Sequence, residues 1–275
     1  MQNIPFVKMV GAGNDFIVID GIAGLDYPHF AKGACARQTG IGADGVLVLD
    51  KSKSSDYRMR IINADGSEAE MCGNGARCMA SYIVARYKPL KQLFSMETLA
   101  GEVLAEAQGE MARVRLSNPK DYLPNLDITV GGNKMTVHYI DTGVPHAIVF
   151  VDGLQEVDVD SLGRLIRNHP RFAPRGTNVN FVERAREGMV EVRTYERGVE
   201  GETLACGTGS VASALVSFTQ LYPNVKTRKG ASMRVLTASK EILEITFDLE
   251  QGIMSNVWLK GSAKVIAKGE YYYHE

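Results

Sequence analysis

The sequence predicts an α/β protein of the α+β kind, made of two pseudo-symmetric domains, each a curved, mainly antiparallel sheet wrapped around a central buried helix. Three observations carry that expectation. Short segments of alternating apolar and polar residues recur along the whole chain, two segments break the alternation with helical spacing, and the residues leading into those two segments repeat each other.

The strands come first. Tyr57 to Ile61, Met111 to Leu116, Met189 to Arg193 and Glu241 to Ile245 each place apolar side chains on one face at a period of two, as a half-buried strand does. Shorter strands are expected at Gly45 to Leu49, Lys134 to Ile140, His146 to Val151, Asn178 to Val182 and Asn256 to Leu259, with Gly, Asn and Asp between them.

The two helices are expected at Ala76 to Tyr87 and Ser210 to Leu221. In the second, Val211, Ala214, Leu215 and Phe218 form a stripe, and Ala212 and Val216 make its flanks apolar too. A helix apolar nearly all round must be buried.

The duplication can be read as text. Met71-Cys72-Gly73-Asn74-Gly75-Ala76 precedes the first helix and Ala205-Cys206-Gly207-Thr208-Gly209-Ser210 the second, and the two cysteines lie 134 positions apart, about half of the 275 residues. Upstream of each stands a glycine and an acidic residue, Gly66-Ser67-Glu68 and Gly201-Glu202. A boundary is expected in the loop Ser117 to Asp121, dividing the chain into residues 1–118 and 119–262.

Composition narrows the function. With 45% hydrophobic residues, 23% charged residues and a net charge of -1, the chain is an ordinary globular protein. It has no basic excess to bind nucleic acid or an anionic membrane. The cluster Lys226 to Lys229 reads as a solvated turn. The first five residues lack a charged leader followed by an apolar stretch, and no segment approaches the ~18 apolar residues of a membrane helix. A cytoplasmic protein is expected. Cys35, Cys72, Cys78 and Cys206 are too few for a disulfide framework, and neither they nor the five scattered histidines have zinc spacing, so no metal site is expected.

A Cys-Gly-x-Gly segment entering a helix has a physical meaning. The first turn leaves backbone N–H groups unpaired and presents the positive end of the helix dipole, which favours a thiolate and binds carboxylates. One such cysteine suggests a nucleophile. Two, in equivalent halves, suggest that both serve one cleft, where a thiolate removes a proton from one face of a carbon and a thiol returns one to the other. Cys35 and Cys78 lack the following glycines and read as packing residues. Gly11-Ala12-Gly13 lacks the third glycine and the βαβ unit of a dinucleotide site.

Several motifs together resemble the diaminopimelate epimerase family, cofactor-independent enzymes related to proline racemase. They are Gly13-Asn14-Asp15-Phe16, Gly40 to Gly45, Asn63-Ala64-Asp65-Gly66-Ser67, Cys72 to Cys78, Gly143-Val144-Pro145-His146, Thr177-Asn178-Val179-Asn180, Tyr195-Glu196-Arg197-Gly198 and Glu202 to Gly209. The resemblance implies interconversion of LL- and meso-diaminopimelate in lysine biosynthesis. It makes Cys72 and Cys206 the catalytic pair, with His146 and Glu196 flanking the reacting centre. Gly73, Asn74, Gly207 and Thr208 would hold the reacting carboxylate through their backbone. Asn14, Asn63, Asn178, Glu196 and Arg197 would be further substrate contacts. It also implies no cofactor, a homodimer, and a last strand, about 263–275, returning to the first domain.

The chain departs from the family pattern at three places. Val144 stands where many members have asparagine, Gly45 where some have glutamine, and Glu200 reads as an insertion. The enzymatic rival is a related racemase of another amino acid, of histidine or proline type. Rivals from other classes are a dithiol redox protein and a non-catalytic binding module.

Overall fold

The computed structural model describes residues 2–274. Residues up to Arg115, together with those from Lys260 onward, form one compact unit, and Leu116 to Leu259 form another.

In the first unit, β1 (Gln2–Gly11) and β2 (Asn14–Asp20) form a hairpin whose turn residues, Ala12 and Gly13, have φ of 51° and 90°. Two positive φ values match the turn to the twist of the strands, which is the use of this glycine-rich stretch. Helix α1 (Tyr27–Cys35) then crosses to β3 (Gly45–Asp50), parallel to β2. Next come β4 (Tyr57–Asn63), antiparallel to β3, and the short β5 (Glu68–Ala69) on β4. Helix α2 (Gly73–Tyr87) leads to β6 (Phe94–Thr98), parallel to β4, and β7 (Gly101–Gln108) and β8 (Met111–Arg115) follow as antiparallel neighbours.

The second unit repeats this order of pairings. It opens with β9 (Lys120–Val130) against β10 (Asn133–Asp141), then β11 (Pro145–Phe150) antiparallel to β10. Helix α3 (Val159–Arg167) crosses to β12 (Asn178–Arg186), parallel to β11, and β13 (Met189–Glu196) and β14 (Gly201–Thr203) follow. Helix α4 (Gly207–Leu221) leads to β15 (Arg228–Leu236), parallel to β13, and then to β16 (Ile242–Glu250) and β17 (Ile253–Ser262). The chain returns to the first unit with β18 (Lys264–Tyr273), antiparallel to β1 as β9 is to β10.

The fold class read from the sequence is the one found, with one refinement. The sheets are mainly antiparallel, but β2–β3, β4–β6, β11–β12 and β13–β15 are parallel. Each of the four α-helices among the described residues lies between two parallel partners, because parallel strands need a long crossover. Pattern reading overlooked α1 and α3, nine residues each, although both carry a starting signal. Asp26 accepts from His29 N at 3.0 Å and Asp158 from Ser161 N at 3.1 Å. In the loop expected at Ser117 to Asp121, Lys120 and Asp121 already belong to β9, Asp121 with φ of 52°. Of the expected turn at Lys226 to Lys229, Arg228 and Lys229 are exposed residues of β15.

Alternation along the strands divides each sheet into two faces. Ile17, Ile19, Val46 and Val48 pack with Phe30, Ala31 and Ala34 of α1, so their neighbours Phe16 and Leu47 face α2. In the second unit Ala147, Val149, Val179 and Phe181 pack with Val159 and Ile166 of α3. That leaves His146, Asn178 and Asn180 on the α4 face. Eleven of the fifteen residues of α2 are buried, and eleven of fifteen in α4. Burying each large aliphatic or aromatic side chain contributes about 1.5–3 kcal/mol.

Candidate active site

Both helices begin immediately after a cysteine. Cys72 is extended, with φ of -142° and ψ of 117°, and its Sγ accepts from Gly75 N at 3.4 Å. Cys206 is extended as well, with φ of -110° and ψ of 113°, and its Sγ lies 3.5 Å from Thr208 Oγ1. The sequence pattern placed the helix starts three residues later, at Ala76 and Ser210. Glycine is a poor helix former, so apolar periodicity does not register it. The glycines are instead the first turn, where the N–H groups have no intrahelical partner. Neither first turn carries an acidic side chain to occupy them.

The second glycine of each motif permits close approach. A Cβ on Gly209 would stand 2.3 Å from Asn180 Oδ1 and 3.3 Å from Cys206 Sγ. On Gly75 it would meet the mobile end of Leu47 at 3.0 Å and Phe16 Cζ at 3.6 Å.

A directed chain of hydrogen bonds runs through the first unit. The fully buried Arg77 donates to Asn74 Oδ1 at 3.0 Å, Asn74 Nδ2 donates to Asn14 Oδ1 at 2.7 Å, and Asn14 Nδ2 donates to Asp44 Oδ2 at 2.9 Å. Guanidinium can only donate and carboxylate can only accept, so both amide orientations are set from the ends. Asp44 is held in turn by Arg37 Nη2 at 2.8 Å. Asp15, next to Asn14, pairs with Lys8 at 2.7 Å and with Arg37 at 3.0 Å. Burial alone would raise its pKa, but the two cations hold it below the usual carboxylate range. Asn63, at the end of β4, donates to Ser67 Oγ at 2.9 Å.

In the second unit His146, Asn178, Glu196 and Arg197 gather at one end of β11, β12 and β13. His146 and Asn178 are register partners on the parallel pair, and Asn178 donates to Pro145 O at 3.0 Å and accepts from Arg197 N at 2.9 Å. The Arg197 guanidinium donates to Arg175 O at 3.0 Å. Glu196 accepts from Thr203 Oγ1 at 2.9 Å, and burial raises its pKa above the usual carboxylate range although that hydroxyl opposes the shift. Burial, with a smaller contribution from the Arg197 cation, pushes the pKa of His146 down to about 3. Glu200 accepts from Gly198 N and pairs with Arg167, bracing the turn beyond Arg197.

Cys35 and Cys78 are buried, as is Cys206, while Cys72 is half-buried. Burial pushes the Cys35 thiol up to about 11. Arg77, Asp44, Asn180 and Thr203 were not singled out from sequence. Asp44, Asn180 and Thr203 each act through a partner on another strand or loop, which no local pattern reveals, while Arg77 acts through Asn74 one turn earlier on its own helix. Among the described residues no group of three or more His, Cys, Asp or Glu side chains is placed to hold a metal ion. No helix among them is long and apolar enough to cross a membrane.

Comparison with known proteins agrees with this fold. The Agrobacterium vitis hydroxyproline epimerase, 16% identical, covers 98% of the chain and 92% of its own at a TM-score of 0.72. A Bacillus anthracis protein of the phenazine biosynthesis PhzF family, also 16% identical, covers 99% of the chain and 100% of its own at 0.74. At that identity the likeness shows the fold alone. Sequence relatives are much nearer. The diaminopimelate epimerase of Aquifex aeolicus (strain VF5) is 40% identical over 280 residues, covering 97% of both chains. That of Methanocella arvoryzae is 42% identical over 287 residues, covering 98% of this chain and 97% of its own. The diaminopimelate epimerase family model matches residues 6–120 and 138–252, one copy in each half. With the duplicated cysteine caps and these matches in agreement, the chain belongs to the diaminopimelate epimerase family.

Proposed function

We propose that this protein interconverts LL- and meso-diaminopimelate, with Cys72 and Cys206 acting as base and acid on opposite faces of one α-carbon. One sulfur, as thiolate, takes the α-proton; the other, as thiol, supplies the proton that completes the inversion, and the roles exchange in the reverse direction. The observation that carries this reading is the same cap built twice, an extended cysteine followed by a glycine-opened helical turn with no acidic residue in it.

Negative charge develops on the α-carboxylate as the proton leaves. The unpaired N–H groups of Gly73-Asn74 and Gly207-Thr208 are fixed donors for that charge and need no reorganisation at the moment of reaction. His146 and Glu196 flank the reacting centre. Asn14, Asn63, Asn178 and Arg197 bind the substrate's remaining polar groups, and a guanidinium suits the distal carboxylate because its fork can make two parallel bonds. The reaction runs without pyridoxal phosphate, metal or nucleotide, in a cytoplasmic homodimer that serves lysine biosynthesis.

The test is incubation with LL-diaminopimelate in deuterated buffer, following stereochemistry and label together. The expected product is meso-diaminopimelate carrying solvent deuterium at the inverted carbon, with activity unchanged after dialysis against chelator. Recovery of unlabelled, uninverted substrate would overturn the proposal.

A further inference from the structure

His146 and Asn180 are both fully buried on the α4 face of their sheet, and their side chains meet, Asn180 Nδ2 lying 3.1 Å from His146 Nδ1. The other contacts of the Asn180 amide set the direction of that bond. Asn180 Nδ2 is also 3.3 Å from the backbone oxygen of Ala147, and a carbonyl can only accept. The amide nitrogen must therefore be the atom on that side. On the other side Asn180 Oδ1 accepts from Thr194 Oγ1 at 3.0 Å. With its orientation set, Asn180 offers His146 a hydrogen, and Nδ1 must receive it with a lone pair. The ring proton then sits on Nε2. Nε2 is itself buried and meets no hydrogen-bonding group among the described residues.

We infer that Asn180 is a positioning residue that holds His146 as the neutral tautomer protonated at Nε2, so that the imidazole serves the reaction as a hydrogen-bond donor and not as a base. A buried N–H that the protein leaves unanswered is complementary to an acceptor on a ligand, and an amino-acid carboxylate is the acceptor that the proposed epimerisation supplies. This inference rests on that reading for the ligand, but not for the tautomer. Burial and the Arg197 cation disfavour the imidazolium, which agrees with a neutral ring.

The first unit sharpens the point. Phe16 is the register partner of Gly45 as His146 is of Asn178, and Leu47 faces Ile61 as Asn180 faces Thr194. The equivalent positions there are apolar, so no packing requirement of the repeated fold calls for the amide–imidazole pair.

The experiment is a long-range nitrogen–proton NMR correlation on unliganded protein labelled with nitrogen-15 histidine, with the His146 signals assigned by their absence in His146→Gln. The expected wild-type spectrum shows Nε2 protonated and Nδ1 bare. A proton on Nδ1, or on both nitrogens, overturns the inference. In Asn180→Asp the carboxylate accepts from Nδ1, so the proton is expected to move there and kcat to fall about 100-fold, the usual effect of losing one aimed donor. Full kcat with Nδ1 protonated overturns the inference, and so does a loss of kcat with Nδ1 still bare. Should that variant fail to fold, the wild-type spectrum decides alone. Failure of the epimerase reading would show separately, as wild-type protein that leaves diaminopimelate unchanged whatever its tautomer.

Discussion

Helices α2 and α4 have the same length, an extended cysteine before the first turn and the same extent of burial, yet only the Cys72 sulfur accepts a backbone N–H of its helix, and the two first turns rest on different chemistry. The turn of α2 lies over Phe16 and Leu47 and draws its polarity from its own Arg77 and Asn74, of which Asn74 reaches out to Asn14 and through it to Asp44. The turn of α4 lies over Asn180, with His146 beside it, and continues into the apolar Val211. The duplication kept what the backbone supplies, a sulfur and a set of unpaired N–H groups, and redistributed what side chains supply. Such a division gives the two helix starts a common set of backbone donors and different side-chain surroundings.

The strongest test of the shared part is to remove one sulfur at a time. Cys72→Ala and Cys206→Ala are each expected to lower epimerisation at least 1000-fold, to the order of magnitude general acid–base groups supply, by chiral chromatography of the product. A variant that retained a large share of turnover would break the equivalence of the two caps.

Removing the buried cation of α2 tests its private network. Arg77→Met leaves Asn74 without the donor that orients it, and a cost of about 3 kcal/mol in unfolding free energy is expected from urea titration, near the upper value for hydrogen bonds to charged groups. The KM for substrate should rise as well, because the Asn14 amide loses the far end of its chain. Unchanged stability and unchanged KM would mean that the chain of bonds is incidental.

The two second glycines separate the halves more finely. Gly209→Ala drives a methyl against the buried amide of Asn180, and overpacking of that kind costs about 1–3 kcal/mol. Gly75→Ala needs only a small shift at the end of Leu47 and gains helix propensity of about 1 kcal/mol, so the net effect should be close to zero. Equal melting temperatures for the two variants would sink the contrast between an amide floor and an aliphatic one.

The smallest effect concerns Glu196. By strand register its counterpart is Asn63, since each stands two residues beyond the partner of Asn180 or Leu47. Burial raises the pKa of Glu196, so the folded protein holds this proton at a pH where the unfolded chain has released it. The stability it contributes is complete below the ordinary carboxylate range and is lost as pH rises through the raised value. Glu196→Gln, uncharged like Asn63, should therefore gain on the wild type by a few degrees in thermal melts at pH 7 and by less at pH 4. A difference independent of pH would show that the carboxyl does not titrate abnormally.

Much of this was legible in the chain itself. The paired caps could be seen because both copies keep Cys-Gly-x-Gly and the same run-up, and the buried helices because apolar residues surround them. Strands such as β4, β8, β13 and β16 were legible because one face is wet and the other dry. Helices α1 and α3 were not, since nine residues give too few turns for periodicity to stand out from background. The C-terminal ends of α2 and α4 fall where the pattern put them, but their starts were missed by three residues because glycine leaves no trace in an apolar pattern.

By itself the sequence determined the local chemistry: two sulfurs at helix starts, bare N–H groups beside them, and strands that alternate. Those features depend on residues within one turn or one strand of each other. Only the tertiary structure decided which polar side chains meet, Asn14 with Asp44 and Asn74, and His146 with Asn180 across 34 positions of chain. The reason is register. A shift of one residue between two strands turns every side chain to the opposite face, and the parallel crossovers that set register here pass through helices whose lengths no short-range pattern specifies.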